Sequence, residues 1–284
     1  MSLSSLYLDA FLAVAQTEGF SSGAKRLNIT QSALSQRIKN LEEELGLTVF
    51  IRTPTGATLT EQGERLLRYC QTRDSMETEL IHDLNGAKTF EVSGTVRIAS
   101  YSSVLRSVLI PPLEPFLQKH PDILCDFICS SMDDLPGMLQ RGEVDFIVMD
   151  YRLEKANLET VVLGSEKYVL IESMKSSRRD DIFLDNNSGD RATENFFKAQ
   201  GGKTPKYRRS YFDDCYGIID GVALGMGKAV MSEHLVADND KIKIVKGFKH
   251  YKVDVVLHYY HQPFYSKLHQ SVIELLTKNC NSFL

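Results

Sequence analysis

The sequence predicts a multidomain fold with a small helical N-terminal unit, a long single helix and an α/β remainder built as two lobes. Three observations predict it. Apolar residues recur at helical spacing through the first 45 or so residues, no proline occurs from Thr60 to about Lys88, and after Gly94 short apolar runs alternate with amphipathic stretches. At 284 residues and 43% hydrophobic content the chain can bury two or three cores.

The first helix shows its buried face as Leu8, Phe11, Leu12 and Ala15, the i, i+3, i+4, i+7 spacing of an amphipathic helix. Gly19 breaks it, Ser21 or Ser22 is positioned to cap a short second helix carrying Ala24 and Leu27, and Asn28 and Ile29 turn the chain into Thr30, a good N-cap. The third helix runs from about Gln31 to Leu45 and has two faces. Leu34, Ile38, Leu41 and Leu45 form the apolar one, while Ser32, Ser35, Gln36 and Lys39 form a polar stripe. Such side chains suit a major groove, where Gln pairs with adenine edges, Ser adapts to either partner, and Lys or Arg reaches guanine or phosphate. On an isolated helix the same stripe would read as a solvated face. Its place after a capped short helix and a tight turn favours DNA.

The charge distribution agrees. The chain carries a net charge of -4, yet from Gly19 to Leu41 its only charged side chains are Lys25, Arg26, Arg37 and Lys39, a local positive patch in an acidic protein. VFIRTPTGATLT then reads as a small hairpin, a wing, with Arg52 placed for a phosphate contact or for an ordinary surface role. Thr60 can cap the long helix that follows, with Gly63 in its first turn; Leu66, Tyr69, Met76, Leu80 and Leu84 give it a loose apolar seam interrupted by Arg73. An exposed half-apolar helix needs a cover, and a second copy of itself supplies one.

In the remainder TVRIAS, ILCDFICS and DFIVMD read as strands separated by helices around 113–119 and 135–141, the pattern of a parallel sheet. YVLIES, DIFLD, YRRSY, KAVMS and KVDVVLHYY read as further strands, with helices at TENFFKAQ, YGIIDGVALG and KLHQSVIELLTK. Two lobes with a ligand crevice at the strand carboxyl ends follow from this order.

The stretch from Phe11 to Gly63 closely resembles the winged helix-turn-helix of LysR-type transcriptional regulators, with anchors at Ala24-Lys25-Arg26-Leu27, Gln31-Ser32-Ala33-Leu34-Ser35 and Leu59-Thr60-Glu61-Gln62-Gly63. Ile29 to Lys39 is similar to the lysine- and arginine-responsive branch. Gly94-Thr95-Val96-Arg97-Ile98 and Gly221 to Gly227 match the family's pattern more weakly. The resemblance implies a DNA-binding domain over 1–60, a linker and dimerisation helix over 61–93, and a periplasmic-binding-protein-like effector domain over 94–284. Lobe I would hold 94–163 and 258–284, lobe II 164–257, with crossings near Val161 to Tyr168 and Val256 to His261. It also implies a regulator and not an enzyme, acting on double-stranded promoter DNA as a dimer or tetramer. The DNA-facing set becomes Lys25, Arg26, Thr30, Gln31, Ser32, Ser35, Gln36, Arg37, Lys39 and Arg52.

By the same resemblance a small-molecule effector, an amino acid or organic acid, lies between the lobes. Ser100, Tyr101, Ser102 and Ser103 would offer hydroxyls and backbone N–H groups to a carboxylate. Ser130, Ser131 and Asp150 would face them, with Tyr211, Phe212 and Met231 across the cleft. Asp150 departs from the small or neutral residues common there. It suits a cationic ligand, or is a solvated strand end.

Other chemistries find little support. Cys70, Cys125, Cys129, Cys215 and Cys280 form no CxxC pair, and Cys125 and Cys129 on one extended strand would sit about 13 Å apart, beyond disulfide reach. His258 and His261 lack the glutamate of a zinc-protease helix, so no metal is expected. There is no G-x-S-x-G, and Gly225 and Gly227 precede a strand, so no catalytic group or cofactor is expected either. No run approaches roughly 20 apolar residues, and the N-terminus has no basic residue ahead of its apolar stretch, which predicts a cytoplasmic protein without membrane contact.

Overall fold

A computed structural model describes residues 3–53, 56–84, 92–175, 179–201, 205–262 and 265–284. Helix α1 (Ser5–Thr17) is followed by α2 (Phe20–Arg26) and α3 (Gln31–Leu45). Phe11, Val14, Leu34, Ile38 and Leu41 meet with no exposed surface at all, and burial of side chains of this size contributes about 1.5–3 kcal/mol each. Gly23 lets α2 approach α1, because a Cβ there would sit 3.1 Å from the backbone of Ala13. Gly19, and neither serine, caps α2: the helix begins at Phe20, and the Ser21 hydroxyl donates instead to Gln31 Oε1 at 2.9 Å. Thr30 caps α3 as expected, its Oγ1 accepting from Ala33 N at 3.2 Å.

The wing pairs β1 (Phe50–Thr53) with β2 (Gly56–Leu59); its expected tip, Pro54 and Thr55, lies outside the described residues. Helix α4 (Glu61–Leu84) is capped by Thr60, whose Oγ1 accepts from Gly63 N at 3.0 Å. A Cβ on Gly63 would fall 2.2 Å from Val49 O, so the first turn of α4 is wedged against the winged unit. Leu66 and Leu67 belong to that unit's core, which leaves Tyr69, Met76, Leu80, Ile81 and Leu84 as the exposed apolar side of the helix. The expected continuation of this helix to Lys88 lies outside the described residues.

The remainder opens with β3 (Gly94–Ser100). Helix α5 (Ser102–Val104) runs through a π-turn (Leu105–Leu109) into α6 (Ile110–Lys119). Then come β4 (Ile123–Cys129), α7 (Leu135–Gln140), β5 (Phe146–Met149) and β6 (Leu158–Ser173). The second lobe adds β7 (Ile182–Asp185), α8 (Ala192–Ala199), β8 (Arg208–Tyr211), α9 (Cys215–Ala223), β9 (Ala229–Ser232) and β10 (Ile242–Ile244). The chain closes with β11 (Tyr251–Tyr260) and α10 (Lys267–Asn279).

The sheet is mixed, not the parallel one expected. Strand β3 pairs in parallel with β4 and β5, but β5 meets β11 antiparallel, and β11 and β6 pair antiparallel from Tyr251↔Tyr168 to Tyr260↔Leu158 with an irregularity at Val255/Val256. These two long strands carry the chain between the lobes: Tyr251 of β11 packs against a second-lobe cluster, while Val255 and Leu257 are already in the first lobe's core. Leu163 of β6 packs with Val96, Phe146 and Leu257, while Val169 and Ile171 of the same strand pack with Leu184 and Val222. Only the stretch of β6 from Tyr168 to Ser173 was anticipated as strand, and β10 not at all.

Candidate nucleic-acid interface and interlobe cleft

The two-faced reading of α3 corresponds to the burial pattern. Leu34, Ile38 and Leu41 face inward, whereas Gln31, Ser32, Gln36 and Lys39 are exposed and Ser35 and Arg37 are half-buried. Two residues outside the expected set hold the stripe. Asn40 accepts from Gln36 Nε2 at 2.7 Å and donates to Tyr7 OH at 3.1 Å, so the Gln36 side chain is oriented from the core side of the helix. Lys39 pairs with Glu43 at 3.6 Å, both side chains exposed, a contact worth little in water. Thr30 and Ser32 share a hydrogen bond at 3.0 Å at the helix start. Arg52 lies with its guanidinium 4.2 Å from the Phe20 ring centroid, which fixes the wing base against α2. Lys25 is exposed, while Arg26 borders a crevice of about 460 Å³ walled also by Asp9, Asp74 and Asp145.

In the cleft the expected residues divide. Ser100 is fully buried and its hydroxyl donates to Val148 O at 2.9 Å. Ser131 is engaged with Asp134 at 2.7 Å, and Met231 is buried among Val169, Leu184 and Ile218. Phe212 packs on α9 beside Gly221, Tyr211 is half exposed beneath the Arg209 guanidinium, and Ser130 donates its N–H to Ser100 O at 3.1 Å. Ser102 and Ser103 open α5, with Ser103 buried.

A residue that sequence reasoning missed organises the cleft. Glu166, on the crossing strand β6, is completely buried. Its carboxylate accepts from Tyr101 OH at 2.9 Å on the lobe I side, and from Ser232 Oγ at 2.7 Å and His234 Nε2 at 2.9 Å on the lobe II side. Burial and then the neighbouring Glu166 push the Tyr101 phenol well above its ordinary range, so it remains a donor. Burial and Glu166 likewise raise the Asp150 carboxyl. Arg106, 3.8 Å from the Tyr216 ring centroid, adds a second tie between the lobes. A signal for Glu166 was available: it is the sole acid between Val161 and Tyr168, the segment expected to cross.

The histidine pair is not brought together on one ligand. His258 is buried with Nδ1 3.1 Å from Thr160 Oγ1 and Nε2 3.0 Å from Tyr151 O. The carbonyl can only accept, so Nε2 carries the proton and Thr160 donates to Nδ1. His261 pairs with exposed Glu159 at 2.7 Å. Among the described residues no group of three or more His, Cys, Asp or Glu is arranged for a metal, and no helix is long and apolar enough to cross a membrane. All five cysteines are free; burial pushes the Cys70, Cys125 and Cys280 thiols up to about 12.

A winged helix wedged onto a long helix, followed by two lobes sharing a crossing strand pair, defines a two-part protein that joins a groove-sized helix face to an interlobe cleft. Comparison with known proteins is consistent at both ends. Residues 7–64 match the bacterial regulatory helix-turn-helix protein, lysR family, and residues 91–281 match the LysR substrate binding domain. The chain belongs to the LysR family. The Escherichia coli regulator PgrR is 31% identical over 185 residues, covering 60% of this chain and 58% of PgrR; the chain spans little more than half the length of such curated relatives. In fold it is similar to ArgP from Mycobacterium tuberculosis, with 19% identity, a TM-score of 0.76 and 98% of each chain covered. It is also similar to full-length LysG from Corynebacterium glutamicum with the effector Arg bound, with 18% identity, a TM-score of 0.74 and 99% of each chain covered.

Proposed function

We propose that this protein is a cytoplasmic transcriptional regulator, not an enzyme, that binds promoter DNA through α3 and the wing and responds to a cationic amino acid between its lobes. Residues 1–60 form the DNA-binding part, 61–93 the linker and 94–284 the effector domain. The exposed Tyr69, Met76, Leu80, Ile81 and Leu84 are covered by a second copy of the linker helix, giving a dimer and, by further pairing, a tetramer.

The observation that carries the choice of effector is a contrast between two buried carboxylates. Asp185 is held by the guanidinium of Arg209 and by Thr193 Oγ1 at 2.6 Å. Glu166 has a tyrosine, a serine and a histidine for partners, none with an obligatory positive charge, and nearby Asp150 has its carboxyl raised by burial and then by Glu166. A buried anion without a fixed cation favours a ligand that brings one. An amino acid would turn its carboxylate to Ser102 and Ser103 and its cationic side chain to Asp150 and Glu166, and the arginine held by LysG is of this class.

Two measurements test the reading. Gel shifts on DNA upstream of the gene should show sequence-specific retardation. Calorimetry should show arginine or lysine binding and the uncharged arginine analogue citrulline binding at least about tenfold more weakly; equal affinities would remove the cationic effector.

A further inference from the structure

One carboxylate at the start of α4 gathers several contacts between lobe I and the DNA-reading unit. Glu64, in the first turn of α4, accepts from Gln140 Nε2 at 2.8 Å and pairs with Lys155 Nζ at 3.3 Å. Lys155 Nζ also donates to Tyr260 OH at 2.9 Å, and the Tyr260 ring lies 4.6 Å from the guanidinium of Arg68, one turn further along α4. Three elements of lobe I thus converge on the start of the linker helix: the end of α7, the segment after β5 and the end of β11. Glu64 and Arg68 are largely shielded, with side chains 16% and 11% exposed, and Lys155 is 39% exposed, so the contact is held at its Glu64 end and open to solvent at the other.

Lys155 is five residues from Asp150, a distance the chain spans in at most about 18 Å when fully extended. The connecting segment has little slack. Its start is pinned where His258 Nε2 donates to Tyr151 O at 3.0 Å, and its end where Leu158 N donates to Lys155 O at 3.3 Å. On the other side Glu64 follows Gly63, whose lack of a side chain lets α4 press on Val49 O of the winged unit. A displacement of Asp150 therefore has a short, tethered route to the base of the wing. A parallel tie runs from Arg141 to Glu18 at 3.5 Å, and Glu18 O accepts from Ala57 N of the wing at 2.7 Å.

We infer that Lys155 and Glu64 form the coupling contact through which occupancy of the cleft at Asp150 repositions the DNA-reading unit. Lys155 and Glu64 are positioning residues that touch neither DNA nor effector. The inference rests on the regulator reading above, but it does not depend on which effector binds.

The test uses the full chain and a duplex that the wild-type protein selects from a random-sequence library, with affinity read by fluorescence anisotropy at two salt concentrations. Lys155→Gln and Glu64→Gln should each change affinity at least about fivefold, the lower range of measured couplings between sites. The double variant should change it no further, and the salt slope should stay that of the parent, because no phosphate contact is lost. Lys155→Arg should restore the parental affinity, which damage to packing would not allow. Asp150→Asn combined with Lys155→Gln should also be non-additive. Parental affinity in Lys155→Gln, or additivity in either pair, would overturn the coupling contact. Failure of the wild type to recover any duplex would overturn the regulator reading and, with it, this inference. Arginine serves as a separate probe: where calorimetry shows it binding, Lys155→Gln should keep that affinity while arginine's effect on DNA affinity falls toward onefold. If arginine's effect on DNA remained at the parental size in that variant, the coupling would lie elsewhere.

Discussion

The polar side chains of α3 and those of the interlobe cleft are arranged in opposite ways. On α3, Gln31, Ser32, Gln36 and Lys39 stand in solvent, and among the described residues they bond to close neighbours on the same unit. In the cleft, Glu166, Ser232 and His234 are withdrawn from solvent and bonded to one another, with Tyr101 joining from the other lobe. A surface that reads DNA keeps donors and acceptors free for base edges and gives up little when a partner arrives. A closed network must exchange bonds before anything enters, so its specificity depends on what the newcomer offers in return. The first arrangement suits sampling many sequences, and the second suits refusing most small molecules.

The sharpest way to break this comparison is Glu166→Ala. It would leave Tyr101, Ser232 and His234 without their shared acceptor, and a loss of about 3 kcal/mol or more is expected in urea unfolding followed by tyrosine fluorescence. A loss below about 1 kcal/mol would mean that the network is not closed. On the DNA side Gln36→Ala should cost about 1–3 kcal/mol of discrimination at one base pair while leaving the unfolding midpoint nearly unchanged, as suits an exposed side chain. Equal binding of all sequences by parent and variant would remove Gln36 from the reading face. Arg52→Ala should weaken every duplex alike and reduce the salt slope by about 1; a change confined to one sequence would argue against a phosphate contact.

The smallest effect is expected at Asp150. Burial and Glu166 raise its carboxyl in the folded protein, which favours the protonated form, so stability is lost as the pH rises from the ordinary carboxylate range through that raised value. Asp150→Asn removes this cost. The variant should be slightly more stable than its parent at pH 7, and the two should converge as the pH falls into the range where Asp150 is protonated. A variant less stable at pH 7 would show that the carboxylate is used within the cleft.

The N-terminal unit was legible because its signals are local. Thr30 caps α3 from within its own turn, and Leu34, Ile38 and Leu41 announce their face by spacing alone. The exception, the start of α2 at Phe20, shows Gly19 taking the cap position while Ser21 bonds to Gln31 ten residues away. The cleft was poorly legible because its partners are distant in sequence. Tyr101 and Ser232 reach Glu166 from 65 and 66 residues away, so its place in the crossing segment could mark the residue but not its partners. The same holds for Ser100: its hydroxyl suited a ligand until Val148, 48 residues on, was seen to accept it. The mixed sheet was hidden for a related reason, since the part of β6 ahead of Tyr168 carries Glu159, Gly164 and Glu166 and does not look like a strand until β11 pairs with it.

The order in which residues enter each core has a consequence for synthesis. The winged unit's core is complete once Cys70 has been made, and the second lobe's when Ile242 has. The first lobe begins earlier, with Val96 and Ile98, but its core also requires Val255, Leu257, Leu268, Val272 and Cys280. On the ribosome, β3 must therefore wait for the rest of its core while nearly two-thirds of the chain is still to be made, and β5 while nearly half is. At ordinary elongation rates of about 5–20 residues per second the wait lasts roughly six seconds or more. During that interval an apolar half-lobe is the segment most in need of a chaperone, while the winged unit is already folded.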